Sequence, residues 1–298
     1  MSGAFHTGLA SHLAGRVTTT CHAWAIARRD QEALGFTDHD RPLAFDGITF
    51  RADSGLSAMA LQQGTGLSVD NSEAIGALSD VALSEADIEA GRFDGANVRA
   101  WLVNWQDVTQ RQLMFQGTIG EIRRAGGAFT AELRGVSEPL NQPRGRVYQK
   151  PCGAVLGDLP CGVDLTGAGY NVQTQVQSVQ GASVIVPRLD DFEPGWFTGG
   201  GLTVLSGGAK GLSGAIKRDF HRDPAGSARQ IDLWHALRAP LVAGDIVHIT
   251  AGCDKRLETC RFKFNNLANY QGFPDIPGED WLAVTPSHSG ATTGGSRR

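Results

Sequence analysis

The chain has 298 residues, 41% of them apolar, with 27 Lys and Arg against 31 Asp and Glu for a formal net charge of −4. This length admits a real core and up to two domains, and the mildly acidic balance argues against a surface that wraps nucleic acid, which is ordinarily basic. The opening MSGAFHTGLASHLAGRVTTT has no basic stretch followed by an apolar one, so no signal peptide is expected, and no run approaches the ~20 apolar residues of a membrane span.

Thirty-nine glycines, roughly twice the usual share, predict a turn-rich, mainly β protein. The first strand is expected over 19–28, with His22, Trp24 and Ile26 on one face and Cys21, Ala23, Ala25 and Ala27 on the other. On that placement Cys21 is a small buried hydrophobe. The turn-marked segments 35–40 and 45–50 read together as a short β-hairpin. Ser84-Glu-Ala-Asp87 has capping-box spacing and Gly91 stands where a helix-ending glycine belongs, which predicts a short helix over 85–90. Strands follow over 98–105, 113–122 and 129–133, the last two joined across Gly126-Gly127. The alternation of Arg99, Trp101, Val103 and Trp105 with Val98, Ala100 and Leu102 describes a sheet apolar on both faces, or one at an interface.

The texture changes at residue 141. Gly, Pro and Arg dominate 141–170, which predicts an irregular, pinned loop. Residues 172–186 are strand-like around a Gly181 turn, 195–214 read as hairpins, and 230–237 and 245–250 are the last strands. The tail 286–298 is expected to be disordered.

Four of the five cysteines form two tight pairs, Cys152/Cys161 and Cys253/Cys260, about ninety residues apart. Paired thiols in a chain without export features read first as ligands of a metal or cluster. Eight residues separate the first pair and six the second, so neither has the C-x2-C spacing of a zinc ribbon. If 254–261 is helical, Cys253 and Cys260 lie two turns apart on one face, Cα atoms ~10.5 Å apart. Leaning side chains then leave ~5 Å, wider than the roughly 4 Å that zinc requires and within the roughly 6 Å spread of a four-iron cluster. Lys255, Arg256 and Arg261 offset the charge of a thiolate-ligated centre. On the residues alone, zinc, two disulfides and four unconnected cysteines all stay open.

An enzymatic reading finds little to stand on. Cys21 and His22 point to opposite faces of their strand, so they form no thiol–imidazole pair. Asp38-His39-Asp40 reads as an exposed turn, and His221, His235 and His248 lack metal-ligand spacing. No P-loop, dinucleotide fingerprint or nucleophile elbow occurs, and the glycine runs at 199–201 and 207–208 read as hairpin turns.

The stretch Cys253-Asp-Lys-Arg-Leu-Glu-Thr-Cys260-Arg-Phe-Lys-Phe-Asn-Asn, followed by Asn269-Tyr-Gln-Gly-Phe-Pro and Ile276-Pro-Gly-Glu-Asp280, resembles the C-terminal signature of tail-tip hub proteins. These belong to long-tailed phages and to phage-derived gene transfer agents. Leu34-Gly-Phe-Thr-Asp-His-Asp40, Asp87-Ile-Glu-Ala-Gly-Arg-Phe-Asp-Gly-Ala96, Val103-Asn-Trp105 and the run from Cys152 to Leu165 are similar to the N-terminal part of the same proteins. The likeness spans nearly the whole chain outside 171–230. Gln31 departs from it, standing where a glycine is expected after Arg29-Asp30.

The resemblance implies a structural, non-enzymatic protein of mainly β (α+β) fold, with tail-tube-like β-barrel or sandwich domains and a C-terminal iron–sulfur domain. It implies an N-terminal hub domain over 1–140 and a cysteine-pinned β-region over 141–285. The implied role is a homotrimeric adaptor between a six-fold tail tube and a three-fold tip, forming part of a channel through which DNA passes without specific binding. Implied partners are the distal tail protein ring, the fibre-bearing central tail protein and the host envelope. The implied setting is the tail of a virion-like particle, assembled in the bacterial cytoplasm and released by lysis. Related tail-tip proteins carry a cluster held by four cysteines, so Cys152, Cys161, Cys253 and Cys260 are the implied ligands of a [4Fe–4S] cluster, with zinc as the alternative. A zinc-stabilised binding module and a tail-associated cell-wall hydrolase are the alternative functions.

Overall fold

The computed structural model describes residues 5–28, 30, 32–52, 57–58, 71–77, 84–125, 128–135, 145–167, 169–222 and 228–276. The expected disordered tail and the Gly126-Gly127 turn lie outside them. The chain divides into two compact units, Met1–Pro143 and Arg144–Arg298. The fold is mainly β, and no helix among the described residues is long and apolar enough to cross a membrane.

The first unit opens with helix α1 (Thr7–Leu13) and contains strands β1 (Thr20–Ala27), β2 (Ala33–Thr37), β3 (Leu43–Phe45), β4 (Ile48–Arg51), β5 (Ser57–Ala58) and β6 (Asn71–Ala77). Helix α2 (Glu85–Glu89) then precedes β7 (Asn97–Asn104), β8 (Arg111–Ala125) and β9 (Ala128–Gly135). The nine strands form one sheet in the order β3-β4-β2-β1-β7-β8-β9-β6-β5. Because successive strand residues face opposite ways, β1 and β7 feed two separate cores. Trp24, Ile26, Val98 and Ala100 pack in one with Phe36, Phe93 and Phe115. Cys21, Ala23, Trp101 and Val103 pack in the other with Phe45 and Phe50. Cys21 is thus a core residue, and its strand is apolar on both faces. The capping prediction holds for α2: Ser84 Oγ accepts from Asp87 N at 3.1 Å, and Gly91 takes φ 73°.

Two local expectations differ: the strand expected over 230–237 ends at Leu233, and the hairpin expected from 35–40 and 45–50 is rearranged. The hairpin lies within 43–51, where β3 and β4 pair across Asp46-Gly47, both at positive φ. Segment 33–37 instead pairs antiparallel with β1 and parallel with β4. The reason is tertiary: alignment beside β1 buries Phe36 completely, which a local hairpin would not do. Strands β5 and β6 answer to no sequence expectation.

The second unit holds β10 (Asn171–Gln175), β11 (Ser178–Gln180), β12 (Ser183–Pro187), β13 (Gly201–Val204), β14 (Ser213–His221), β15 (Ala228–Leu233), β16 (Ile246–Thr250) and helix α3 (Leu257–Phe262). The strand order is β10-β16-β13-β14-β15-β12-β11. Its two ends are one run of chain, continuous through 176–177, where Val176 N donates to Asp245 O at 2.8 Å and Gln177 N to Ile185 O at 2.8 Å. The series therefore closes into a barrel through this shared run of chain. Alternate residues fill it: Leu202 and Val204, Ile216, Ile231 and Leu233, Val247 and Ile249 are buried together. At one end Arg229, fully buried, donates to both carboxylate oxygens of buried Asp219 at 2.5 and 2.7 Å and to the carbonyls of Phe192 and Glu193 at 2.7 and 2.6 Å. This pairing fastens the loop before β13 to the barrel.

Candidate functional site

Register explains why two distant cysteine pairs meet. Asn171, the first residue of β10, is partnered with Thr250, the last of β16. The chain entering β10 and the chain leaving β16 therefore emerge at the same end of the barrel. The entering chain is the irregular 145–170 segment with Cys152 and Cys161, and the leaving chain carries Cys253 and Cys260. Gly252 makes the exit possible. A Cβ there would lie 1.9 Å from the Thr198 carbonyl oxygen, far inside contact distance.

All five cysteines are free, and Cys152, Cys161, Cys253 and Cys260 line a single small cavity of about 20 Å³. The two segments are stitched around it by backbone and side-chain bonds. Cys152 N donates to Lys255 O at 2.8 Å, and Lys255 Nζ donates to Ala154 O at 2.5 Å. Asp158 shapes the first loop by accepting from Val155 N and Cys161 N, each at 2.8 Å, and Gly162 follows at φ 68°. Asn266 joins the two pairs. Its Nδ2 donates to Cys161 O at 2.6 Å, its backbone O accepts from Cys260 Sγ at 3.2 Å, and Cys161 Sγ lies 3.9 Å from Nδ2. Tyr270 Oη donates to Lys150 O at 2.8 Å.

Cys253 is not on the helix, which corrects the expected two-turn geometry. Helix α3 starts at Leu257, and Lys255 before it stands at φ 66°, a left-handed turn that aims its N–H at Cys253 Sγ, 3.4 Å away. Cys260 alone lies on the buried face of α3. Burial pushes the Cys253 and Cys260 thiols up, and neighbouring cysteines add to the rise. Lys255 and Arg256 line the cavity and no carboxylate does. Among the described residues, no group of three or more His, Cys, Asp or Glu side chains is arranged to hold a single metal ion. Sequence reasoning singled out the cysteines but assigned no role to Asp158, Asn266 and Tyr270, although all three fall within the stretches that carry the family resemblance.

Other candidate groups stay apart from this site. His22 Nδ1 pairs with Asp38 at 2.9 Å on an exposed surface, while Cys21 lies buried on the opposite face of β1. His39 Nδ1 accepts from Arg41 N at 3.0 Å within its own turn.

Two families match the chain. One, described as "Baseplate hub protein, N-terminal attachment domain", matches residues 6–164. The other, described as "Phage conserved hypothetical protein BR0599", matches 195–280. A solved chain from the "Virion of native gene transfer agent (GTA) particle" is similar at 52% identity and a TM-score of 0.86, covering 97% of this chain and 99% of that one. No curated protein matches.

Proposed function

The chain belongs to the baseplate hub family of phage-like particles, and on that premise we propose that it is the trimeric adaptor between tail tube and tip. Its role is structural rather than enzymatic. The observation that carries the adaptor reading is the presence of two compact β-units in each chain. Three copies then offer six units toward a six-fold tube while keeping three-fold symmetry toward the tip. A net charge of −4 suits a wall of the DNA channel, because phosphate neutralisation by Lys and Arg would hold DNA in transit. On this reading the distal tail ring and the fibre-bearing central tail protein are its neighbours. Counting copies in intact particles tests this: three per tail tip are expected, and six, or one, would refute the adaptor role.

We propose further that Cys152, Cys161, Cys253 and Cys260 hold a [4Fe–4S] cluster. The donor set fits: four free thiols face one cavity, cations line it, and the Lys255 N–H is aimed at one sulfur. A lone zinc ion requires sulfurs gathered within roughly 4 Å. The reading rests on four free thiols lining one cavity, since the ligands of a four-iron cluster bind different iron atoms and tolerate a wider spread than those of zinc. When bound, such a cluster supplies a cross-link between the 145–170 segment and the chain after β16. The chain's own residues orient the sulfurs: Asp158 sets the Cys161 loop, Asn266 ties Cys161 to Cys260, and the Lys255 turn presents Cys253. Anaerobically purified protein is expected to be brown, to bleach on Cys152→Ala or Cys253→Ala, and to keep its colour on Cys21→Ala. Bleaching by Cys21→Ala would remove this ligand set.

A further inference from the structure

A second, larger cleft of about 740 Å³ opens on the unit Arg144–Arg298, lined by the loop before β13 and the outward face of α3. Its floor is aromatic. Phe262 is 76% exposed and carries the Arg261 guanidinium 5.2 Å from its ring centroid, and the Trp196 ring carries the Lys263 ammonium 4.5 Å from its centroid. Its rim is acidic, with Glu193, Asp254 and Glu258. Lys263 is the one cation among the lining residues, and its ammonium is already committed, donating to Trp196 O and Gly252 O at 2.5 and 2.8 Å. Asp254 accepts from Arg256 N at 3.0 Å and lies 3.8 Å from its guanidinium, so it is already engaged. Among the described residues, neither Glu193 nor Glu258 has an ion-pair or side-chain hydrogen-bond partner. An exposed ring beside Glu193 and Glu258, neither in an ion pair, has the make-up of an interface anchor with a charged rim.

We propose that this cleft docks an extended segment of another protein of the particle, one that carries a Lys or Arg next to an apolar side chain. The apolar side chain covers Phe262 and Trp196, and the cation meets the carboxylates of Glu193 and Glu258. The volume suits a few residues of extended chain, and charge complementarity selects the basic one. A second copy docking cleft to cleft is disfavoured, because an isologous contact sets each carboxylate against its own kind. Glu258 and Phe262, two residues to either side of Cys260, lie on the face of α3 away from that buried residue.

Phe262→p-benzoylphenylalanine in intact particles tests it, since the exposed position tolerates the bulkier ring. Thr259 serves as the attachment site if that variant is excluded from particles. Irradiation is expected to give one product, joined to a different protein at a segment with a Lys or Arg within a few residues. Adding Glu258→Lys is expected to lower its yield about tenfold while the chain still enters particles, as loss of one close charge pair implies. Absence of a product, attachment to a second copy, attachment to a segment without a cation, or a yield indifferent to Glu258→Lys would each overturn the proposal.

Discussion

The cysteines of this chain stand in two environments, one packed in a core and four around a small cavity. Cys21 is packed among Ala23, Trp101 and Val103, and burial pushes its thiol from 9.0 up to about 11. The fold therefore favours the neutral thiol. The stability it contributes is fully present below pH 9 and is lost as pH rises through about 11, an effect of about 2–3 kcal/mol. Urea titrations are expected to show this alkaline loss between pH 9 and 11 in the natural chain, and Cys21→Ala is expected to flatten it. The buried ion pair of the barrel obeys a different rule. Arg229→Ala leaves Asp219 charged and unpaired and strips donors from the Phe192 and Glu193 carbonyls. It is expected to cost about 3–5 kcal/mol, read as a lowered urea midpoint. A loss below about 1 kcal/mol would mean that water replaces the guanidinium.

At the scale of elements, the site exists because β10 and β16 are antiparallel neighbours, with Asn171 opposite Thr250. Gly252→Ala should accordingly damage the site without touching a thiol. Its Cβ would run into Thr198 O and the Gly200 backbone, and a shifted exit from β16 moves Cys253. The expected result is a loss of about 2–4 kcal/mol together with reduced metal content, whereas Gly145→Ala, with open space at its Cβ, is expected to leave both unchanged. What the sequence made legible follows the same division. Helix α2 was readable because Ser84, Asp87 and Gly91 act within a single turn of chain. The irregularity of 145–170 was readable from its Gly and Pro content. Closure of the barrel was not, because the partners of β16 are β10 and β13, set by long-range packing rather than local spacing. The start of α3 was not legible because nothing in Asp254-Lys255-Arg256 announces a left-handed turn at Lys255, so a helix over 254–261 could only be supposed. That the two cysteine pairs belong together came from family likeness, and the register of β10 against β16 supplies its physical reason.

For the whole molecule, the two units have separate cores: the first packs on both faces of an open sheet, and the second inside a closed barrel. Units with independent cores unfold independently unless a large interface couples them. Calorimetry is expected to resolve two transitions, and stripping bound metal should lower only the one lost in a fragment 1–143. The central claim remains the shared centre between two stretches separated by the barrel, and the most direct test is chemical. Iron and acid-labile sulfide should be measured in full-length protein purified without oxygen. About four of each per chain are expected, falling together to background in Cys161→Ala and Cys260→Ala. One equivalent of zinc without sulfide, or thiols found paired as Cys152–Cys161 and Cys253–Cys260 disulfides, would contradict the account.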